Sequence, residues 1–370
     1  MRIAFHVDQL WFSAPGGIGT YVSHLASELP AVAPDDELVP FSASWAGRPS
    51  PEGVPAATRS VGMPIRALYP MWAWSRRPNL PQRFGTLDAI HATNPAAIPP
   101  ARPGQALVVT IHDLAFERYP ELYPPRWRRL YQRGLEIAVR EAHAVLAPSR
   151  HAAAAVAAHG VERERIHITP LAADPPAEAG TASTPPYDGP YVLFVGTLEP
   201  RKNLPRLVRA FRAAVGDASL PHQLILAGPT GWQQDTLANA LAADGGGRVH
   251  LPGRVGRQEL EALYRGADAV AYPSLYEGFG LPVLEALAHG RPTLTSSTSS
   301  IPEVADDAAL LVDPEDDDAI AAGLVRILTD EPLRAELMSK GPARAASFSW
   351  AATARATLEA YRDALERVGR

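Results

Sequence analysis

Apolar residues along the chain fall into two alternating patterns. Short unbroken runs, such as Ile3 to Val7 and Leu107 to Ile111, read as strands buried on both faces. Longer stretches between them carry apolar residues at helical spacing, beginning with Val22, Leu25 and Leu29 in a helix predicted from about Thr20 to Leu29. The turn Pro15-Gly16-Gly17-Ile18-Gly19 separates the first strand from this helix. Further strands are predicted at Ala89 to His91 and Val145 to Ala147, with a helix over Pro125 to Glu141. Strand, helix, strand in this order is the signature of a parallel sheet with helices on both faces.

The pattern breaks at residues 172–190, a stretch rich in Pro, Ala, Ser, Thr and Gly that reads as a linker. It then restarts. Strands are predicted at Tyr191 to Val195, Leu224 to Ala227, Val249 to Leu251, Ala269 to Tyr272 and Pro292 to Thr295. Helices lie between them at Leu204 to Val215, Gln233 to Ala243, Arg257 to Arg265 and Pro282 to His289. A separate helix is predicted at Trp350 to Val368 and is expected to cross back onto the first half. The expected fold class is therefore α/β. It has two doubly wound Rossmann-like domains, 1–171 and 191–349, joined by the linker and followed by the helical segment 350–370. Facing each other, two such sheets would direct their C-terminal ends at one shared cleft, where open α/β sheets bind ligands.

Length agrees with this division, since 370 residues exceed one ordinary core. A net charge of -5 gives no reason to expect a nucleic-acid partner. The absence of cysteine excludes a disulfide scaffold, a thiolate metal site and a cysteine nucleophile, and fits a reducing compartment. Met1 to Phe5 runs directly into a strand pattern without the charged and apolar regions of a secretory signal, so a cytoplasmic location is expected. No apolar run reaches the roughly 18 residues needed to span a bilayer.

The most informative segment is Glu277-Gly278-Phe279-Gly280-Leu281-Pro282-Val283-Leu284-Glu285. It follows a predicted strand, and Pro282 suits a helix start. Gly278 and Gly280 leave backbone N–H groups bare at that helix N-terminus, which favours an anion. Two carboxylates beside it accept hydrogen bonds from polyols, so a sugar diphosphate matches both features. The plainer reading is a strand–loop–helix in which Glu285 only complements the helix dipole. Arg201-Lys202 follows another strand, where two cations suit a diphosphate and the charge that grows on it as a bond breaks. A solvated basic pair is the plainer alternative. His112-Asp113 also follows a strand, and by itself suggests a base, half a metal site or a structural histidine.

"PSLYEGFGLPVLEALAHGRPTLTSSTSSIPEV" closely resembles the donor-binding element of glycosyltransferase family 4, the retaining group with the GT-B fold. "GTLEPRKNL", "LAGPTGW", "LPGRV", "VTIHDLAFERYPELY" and "GGIGTY" extend the resemblance over nearly the whole chain. The resemblance implies that Glu277 holds hydroxyls of the transferred sugar and that amides around Gly278, Phe279, Gly280 and Leu281 meet sugar and phosphate. It assigns Glu285 to the ribose, and Arg254 and Val255 to the border of the base. His112 would face the donor sugar, with Arg201 and Lys202 on the phosphates. Many members carry Arg directly after the strand glycine. This chain has Thr197 there, and Arg201 would supply that charge. Gly16 and Gly17 do not make a dinucleotide fingerprint, because the third glycine would fall at Val22; a loop with open amides near phosphate or sugar is expected.

No cofactor or metal is expected. The acidic run Glu315 to Asp318 precedes a helical pattern and reads as a first-turn complement to the dipole. Residues 118–133 mix arginines with aromatics, as does the segment holding Trp72, Trp74, Arg76 and Arg77. An acceptor groove, a peripheral contact with an anionic membrane face, or a helix with one buried aromatic side all fit that mixture. The expected activity is transfer, with retention, of a hexose or deoxyhexose from a nucleoside diphosphate sugar to a hydroxyl acceptor. GDP- and dTDP-sugars lead slightly over UDP-sugars. A sugar-nucleotide epimerase and a non-catalytic sugar-nucleotide-binding regulator are the alternatives.

Overall fold

The computed structural model describes residues 1–51, 53–177, 187–231, 235–242 and 247–369, and it divides into two units. The first comprises Met1–Leu171 together with Ser349–Arg370; the second is Ala172–Phe348. Residues 178–186 of the linker sequence lie outside the described residues, as do Gln233, Gln234 and Ala243 of the predicted helix and Trp232 of the LAGPTGW segment.

In chain order the first unit contains β1 (Arg2–His6), α1 (Gly16–Val32), β2 (Glu37–Ser42), β3 (Arg59–Ser60) and α2 (Ile65–Pro70). There follow β4 (Ala89–Ala92), β5 (Ala106–Thr110), α3 (Ala115–Arg118), α4 (Pro125–Glu141), β6 (Ala144–Ala147), α5 (Arg150–Ala158) and β7 (Ile166–Ile168). The strands form one parallel sheet in the order β3-β2-β1-β4-β5-β6-β7. The central strands are buried at nearly every position, as an apolar run without alternation demands. The C-terminal helix, Trp350–Val368, packs on α1 and on β5, β6 and β7. Its Tyr361 hydroxyl lies 2.7 Å from His91 Nδ1 in the buried sheet.

The second unit repeats the plan with β8 (Tyr191–Val195), α6 (Leu204–Asp217), β9 (Gln223–Ala227), α7 (Asp235–Ala242), β10 (Val249–Gly253) and α8 (Arg257–Gly266). It continues with β11 (Ala269–Tyr272), α9 (Leu281–Ala288), β12 (Thr293–Ser296), α10 (Ile301–Ala305), β13 (Leu310–Val312), α11 (Asp317–Thr329) and α12 (Glu331–Ala346). The sheet is parallel, in the order β10-β9-β8-β11-β12-β13. Both orders reverse direction beside the first strand of the unit, at β1/β4 and β8/β11. Ligands bind outside the carboxyl ends of the strands at such a reversal.

One expectation needs correction. Gly16 and Gly17 are the first residues of α1, not a loop, and Gly19 N already donates to Pro15 O at 3.0 Å. Gly16 accepts the positive φ of +58° at the entry, so the helix starts four residues before the apolar periodicity shows it. The segment around Trp72 and Trp74 is helical. It forms α2 and a π-helical turn, Met71–Ser75, with Trp72 fully buried.

Candidate functional site

The loop after β11 carries Glu277, and α9 carries Glu285 one turn from its start. Gly280 precedes α9 with φ of +102°, and a Cβ there would lie 2.5 Å from Ile301 Cδ1. The polar run 296–300 fixes this loop from behind. Ser299 Oγ accepts from Glu277 N at 3.1 Å, and Ser300 Oγ reaches Glu277 O at 2.9 Å and Phe279 O at 3.0 Å. The Phe279 side chain is buried edge-on against Phe348, so its backbone is what it offers a ligand.

Arg201 and Lys202 lie on a 3-10 turn, Pro200–Lys202, which ends at Asn203 with φ of +63°. Asn203 Nδ2 donates to Pro273 O at 3.0 Å and Pro314 O at 2.6 Å, tying the turn to the loop after β11. The sequence assigns both cations to phosphates; the structure binds both to Glu277. Arg201 Nη1 donates to Glu277 Oε2 at 2.8 Å, and Lys202 Nζ donates to Glu277 Oε1 at 2.7 Å. Arg201 also pairs with Glu199 at 2.6 Å, and Lys202 donates to the Tyr272 hydroxyl. Two cations and two carboxylates thus form a buried cluster of zero formal charge.

Burial opposes ionisation of Glu277, but the charges of Arg201 and Lys202 and their hydrogen bonds outweigh it and hold its carboxyl down to about 2. Lys202 is lowered by burial and by Arg201, against the pull of Glu277. Glu277 is ionised at neutral pH, with each oxygen engaged by one cation. A carboxylate has about four lone-pair sites, so further acceptance from hydroxyls is within its capacity.

Glu285 Oε2 accepts from the Tyr264 hydroxyl at 2.8 Å. Tyr264 stacks on His289, with ring centroids 4.8 Å apart, and His289 Nε2 lies 2.9 Å from Glu261 Oε2. Arg254 is exposed after β10, while Val255 packs partly buried against the core of this unit.

In the first unit, His112 follows β5. Its Nε2 lies 3.1 Å from Thr93 O, and its ring meets Tyr21 edge-on at 4.9 Å. A carbonyl only accepts, so Nε2 carries the proton and Nδ1 presents a lone pair. Burial lowers the His112 pKa to about 4, despite the Thr93 carbonyl and Asp113. Asp113 Oδ1 accepts from Ala115 N at 3.0 Å, so it opens the next turn. Among the described residues no cluster has metal-ligand geometry; Asp316 caps α11, and Asp317 and Asp318 lie in its first turn. Tyr123, just before α4, and Trp127 and Tyr131 on it pack against the core, while Arg126 and Arg129 face solvent. No described helix is long and apolar enough to cross a membrane.

Sequence spacing does not reveal Glu199, Tyr264, Tyr272, Ser299 or Ser300. Both tyrosines sit in apolar stripes, and their polar partners are distant in sequence.

Two parallel Rossmann-like units, the second with a carboxylate–cation cluster beside a glycine-rich helix start, define a GT-B enzyme. The model for Glycosyltransferase Family 4 matches residues 15–176, and that for Glycosyl transferases group 1 matches residues 181–344. The O-antigen chain mannosyltransferase B of Escherichia coli is 34% identical over 266 residues, covering 69% of this chain and 70% of that protein. An MMP alpha-(1->4)-mannosyltransferase of Mycolicibacterium hassiacum is 27% identical, covering 95% of this chain and 96% of its own. The structure of Anabaena Alr3699/HepE, in complex with UDP and glucose, superposes with a TM-score of 0.71 at 19% identity, covering 97% and 98% of the two chains, and shares the fold. The chain belongs to glycosyltransferase family 4, and it is a glycosyltransferase.

Proposed function

We propose that this enzyme transfers a hexose from a nucleoside diphosphate sugar to a hydroxyl acceptor with retention at the anomeric carbon. The second unit would hold the donor, and the first would shape the acceptor site. One observation carries the reading: Glu277, buried and ionised between Arg201 and Lys202 just before the glycine-containing start of α9. Such a carboxylate accepts hydroxyls of the sugar, while the adjoining cations stabilise charge developing on the departing diphosphate. No metal or other cofactor is invoked for that charge.

The same electrostatics argue against two other roles. A carboxylate clamped by two cations is a poor nucleophile, so a covalent glycosyl-enzyme is not part of the proposal. A neutral His112 whose Nε2 proton is engaged with Thr93 is no proton donor to a leaving group. The leaving phosphate would take the acceptor proton on the same face, through a transition state of oxocarbenium character. His112 would accept a hydrogen bond from a donor-sugar hydroxyl at Nδ1, and Glu285 would take the ribose.

Mannose is the sugar named for both relatives above and is our first choice. GDP- and dTDP-hexoses are proposed ahead of UDP-hexoses, although UDP occupies the solved neighbour. The test is thermal stabilisation of wild type and Glu285→Ala by GDP, UDP, dTDP and their hexoses. A ligand at 100 times its dissociation constant adds about 2.7 kcal/mol. A shift with one nucleotide, reduced in the variant, supports the reading and identifies the base. No shift with any would refute the donor site.

A further inference from the structure

A pocket of about 560 Å³ opens in the first unit, and the proposed chemistry does not use it. Its volume falls within the roughly 300–1,000 Å³ usual for small-ligand sites. Trp11, Ala43, Trp45, Arg48, Thr58 and Ser60 are among the residues that line it. Trp11 lies in the segment that leaves β1; residues 43–48 leave β2; Ser60 ends β3. The pocket thus sits over the carboxyl ends of three adjacent parallel strands, where open α/β sheets bind ligands.

Its wall is built around one carboxylate. Asp8 is fully buried and accepts from Ala43 N at 2.8 Å, Trp45 Nε1 at 2.8 Å, the Tyr69 hydroxyl at 2.9 Å and His6 Nε2 at 2.9 Å. Two of those four bonds fix the backbone and the indole of the pocket wall. The Trp45 ring is parallel to Trp11, at 6° with centroids 6.0 Å apart, and Phe12 meets it edge-on at 5.9 Å. Arg48 lies over Trp45 at 5.3 Å and is the one charged side chain among the described lining residues. Flat indoles, the Thr58 and Ser60 hydroxyls and one guanidinium in one lining suit a pyranose ring, whose apolar face stacks and whose edge is polar. They suit a pyranose bearing an acidic substituent better still.

From the sheet order, β1 is two strands and β2 three strands from β5, whose end carries His112. Neighbouring strands lie about 4.8 Å apart, so the pocket is about 10–15 Å along the sheet edge from His112. That exceeds the length of one sugar ring. We propose that this pocket is a distal acceptor subsite, holding a sugar residue of a glycan acceptor at least one ring away from the hydroxyl that reacts. The inference rests on the reading of His112 as facing the donor sugar.

The test uses full-length protein labelled with 15N at tryptophan, with Trp11 and Trp45 indole signals assigned through Trp11→Phe and Trp45→Phe. The probes are methyl α-mannopyranoside, α-linked trisaccharides of mannose and of glucose, and a glucuronic acid-terminated disaccharide. At least one oligosaccharide is expected to move both signals, with half-saturation at least fivefold below that of the monosaccharide. Ala46→Trp, which narrows the exposed mouth, should raise the KM for that oligosaccharide at least tenfold and leave the nucleotide-induced thermal shift of the second unit in place. Signals unmoved by every saccharide overturn the proposal, as does movement by a prenyl phosphate alone. So does an unchanged KM in Ala46→Trp. A wild type that binds and turns over no nucleotide sugar fails the functional reading instead, and is seen separately.

Discussion

Lys202 Nζ lies 2.7 Å from Glu277 Oε1, with both side chains less than a tenth exposed. Removing one partner of a buried pair leaves an uncompensated charge, at a typical cost of about 3–5 kcal/mol. Arg201 remains on Glu277 when Lys202 is lost, so Lys202→Met should sit at the low end, about 3 kcal/mol, or about 6–12 °C in Tm for a unit of this size. The pH dependence separates this from simple loss of packing. The Glu277 carboxyl falls from 4.5 to about 2 on folding, so it contributes stability on the order of 3 kcal/mol that is present above 4.5 and lost as pH falls toward 2. Lys202→Met raises the folded value, and acid unfolding should begin at a higher pH. Identical acid limbs in wild type and variant would show that Lys202 does not set the Glu277 charge.

His112 offers a sharper distinction between positioning and proton transfer. With its pKa near 4 and its proton held by Thr93 O, it stays neutral over the working range. His112→Ala should then cost one neutral hydrogen bond, about 1 kcal/mol or about fivefold to tenfold in kcat/KM. A general acid or base would account for about 10²–10⁴-fold. A kcat/KM profile with a limb near pH 6.5 that vanishes in the variant would refute the assignment.

What the sequence makes legible here is local. The runs Tyr191 to Val195 and Ala269 to Tyr272 match their strands because buried parallel strands are apolar at each position. The helix Pro125 to Glu141 matches because Pro124 and Pro125 mark its start and Leu130, Ile137 and Ala138 mark its buried face. β2 escapes notice because Pro40 interrupts it, yet it lies inside the sheet between β1 and β3. α12 runs through Pro342, which a local reading treats as a stop. The candidate site divides in the same way. Glu277 and Glu285 are visible because glycine and proline fix their setting within nine residues. Tyr272 and Lys202 are 70 residues apart, and no local spacing encodes their contact.

Gly280 tests the loop without touching a charged group. Its φ of +102° strains any L side chain, at about 1–3 kcal/mol, and a Cβ would press on Ile301 Cδ1 at 2.5 Å. Gly280→Ala should lower Tm by about 4–8 °C for a cost near 2 kcal/mol. It should also weaken nucleotide-sugar binding beyond that loss, since the amides of residues 278–281 shift with the turn. Calorimetric titration below the transition separates the two effects. Full-strength binding in a destabilised variant would remove these amides from the donor site.

Tyr264 should be a positioning residue for Glu285. Burial, then the nearby Glu285 charge, holds its pKa well above the ordinary value, so it remains a donor throughout the neutral range. Its hydroxyl lies 2.8 Å from Glu285 Oε2 and its ring is fixed on His289. Tyr264→Phe removes this one bond and keeps the ring. A hydrogen bond to a charged acceptor contributes about 1.5–3 kcal/mol, so the donor KM should rise about tenfold or more. On the proposed assignment of Glu285 to the ribose, which the reaction leaves unchanged, the lost contact is one of uniform binding and kcat should hold. A structural effect alone would not change which part of the donor is recognised, whereas loss of Glu285 placement would. Wild type should prefer the natural nucleotide over its 2′,3′-dideoxy form, Glu285→Ala should show no preference, and Tyr264→Phe should fall between. An unaltered preference in Tyr264→Phe, alongside its loss in Glu285→Ala, would mean that Glu285 holds its place without the tyrosine.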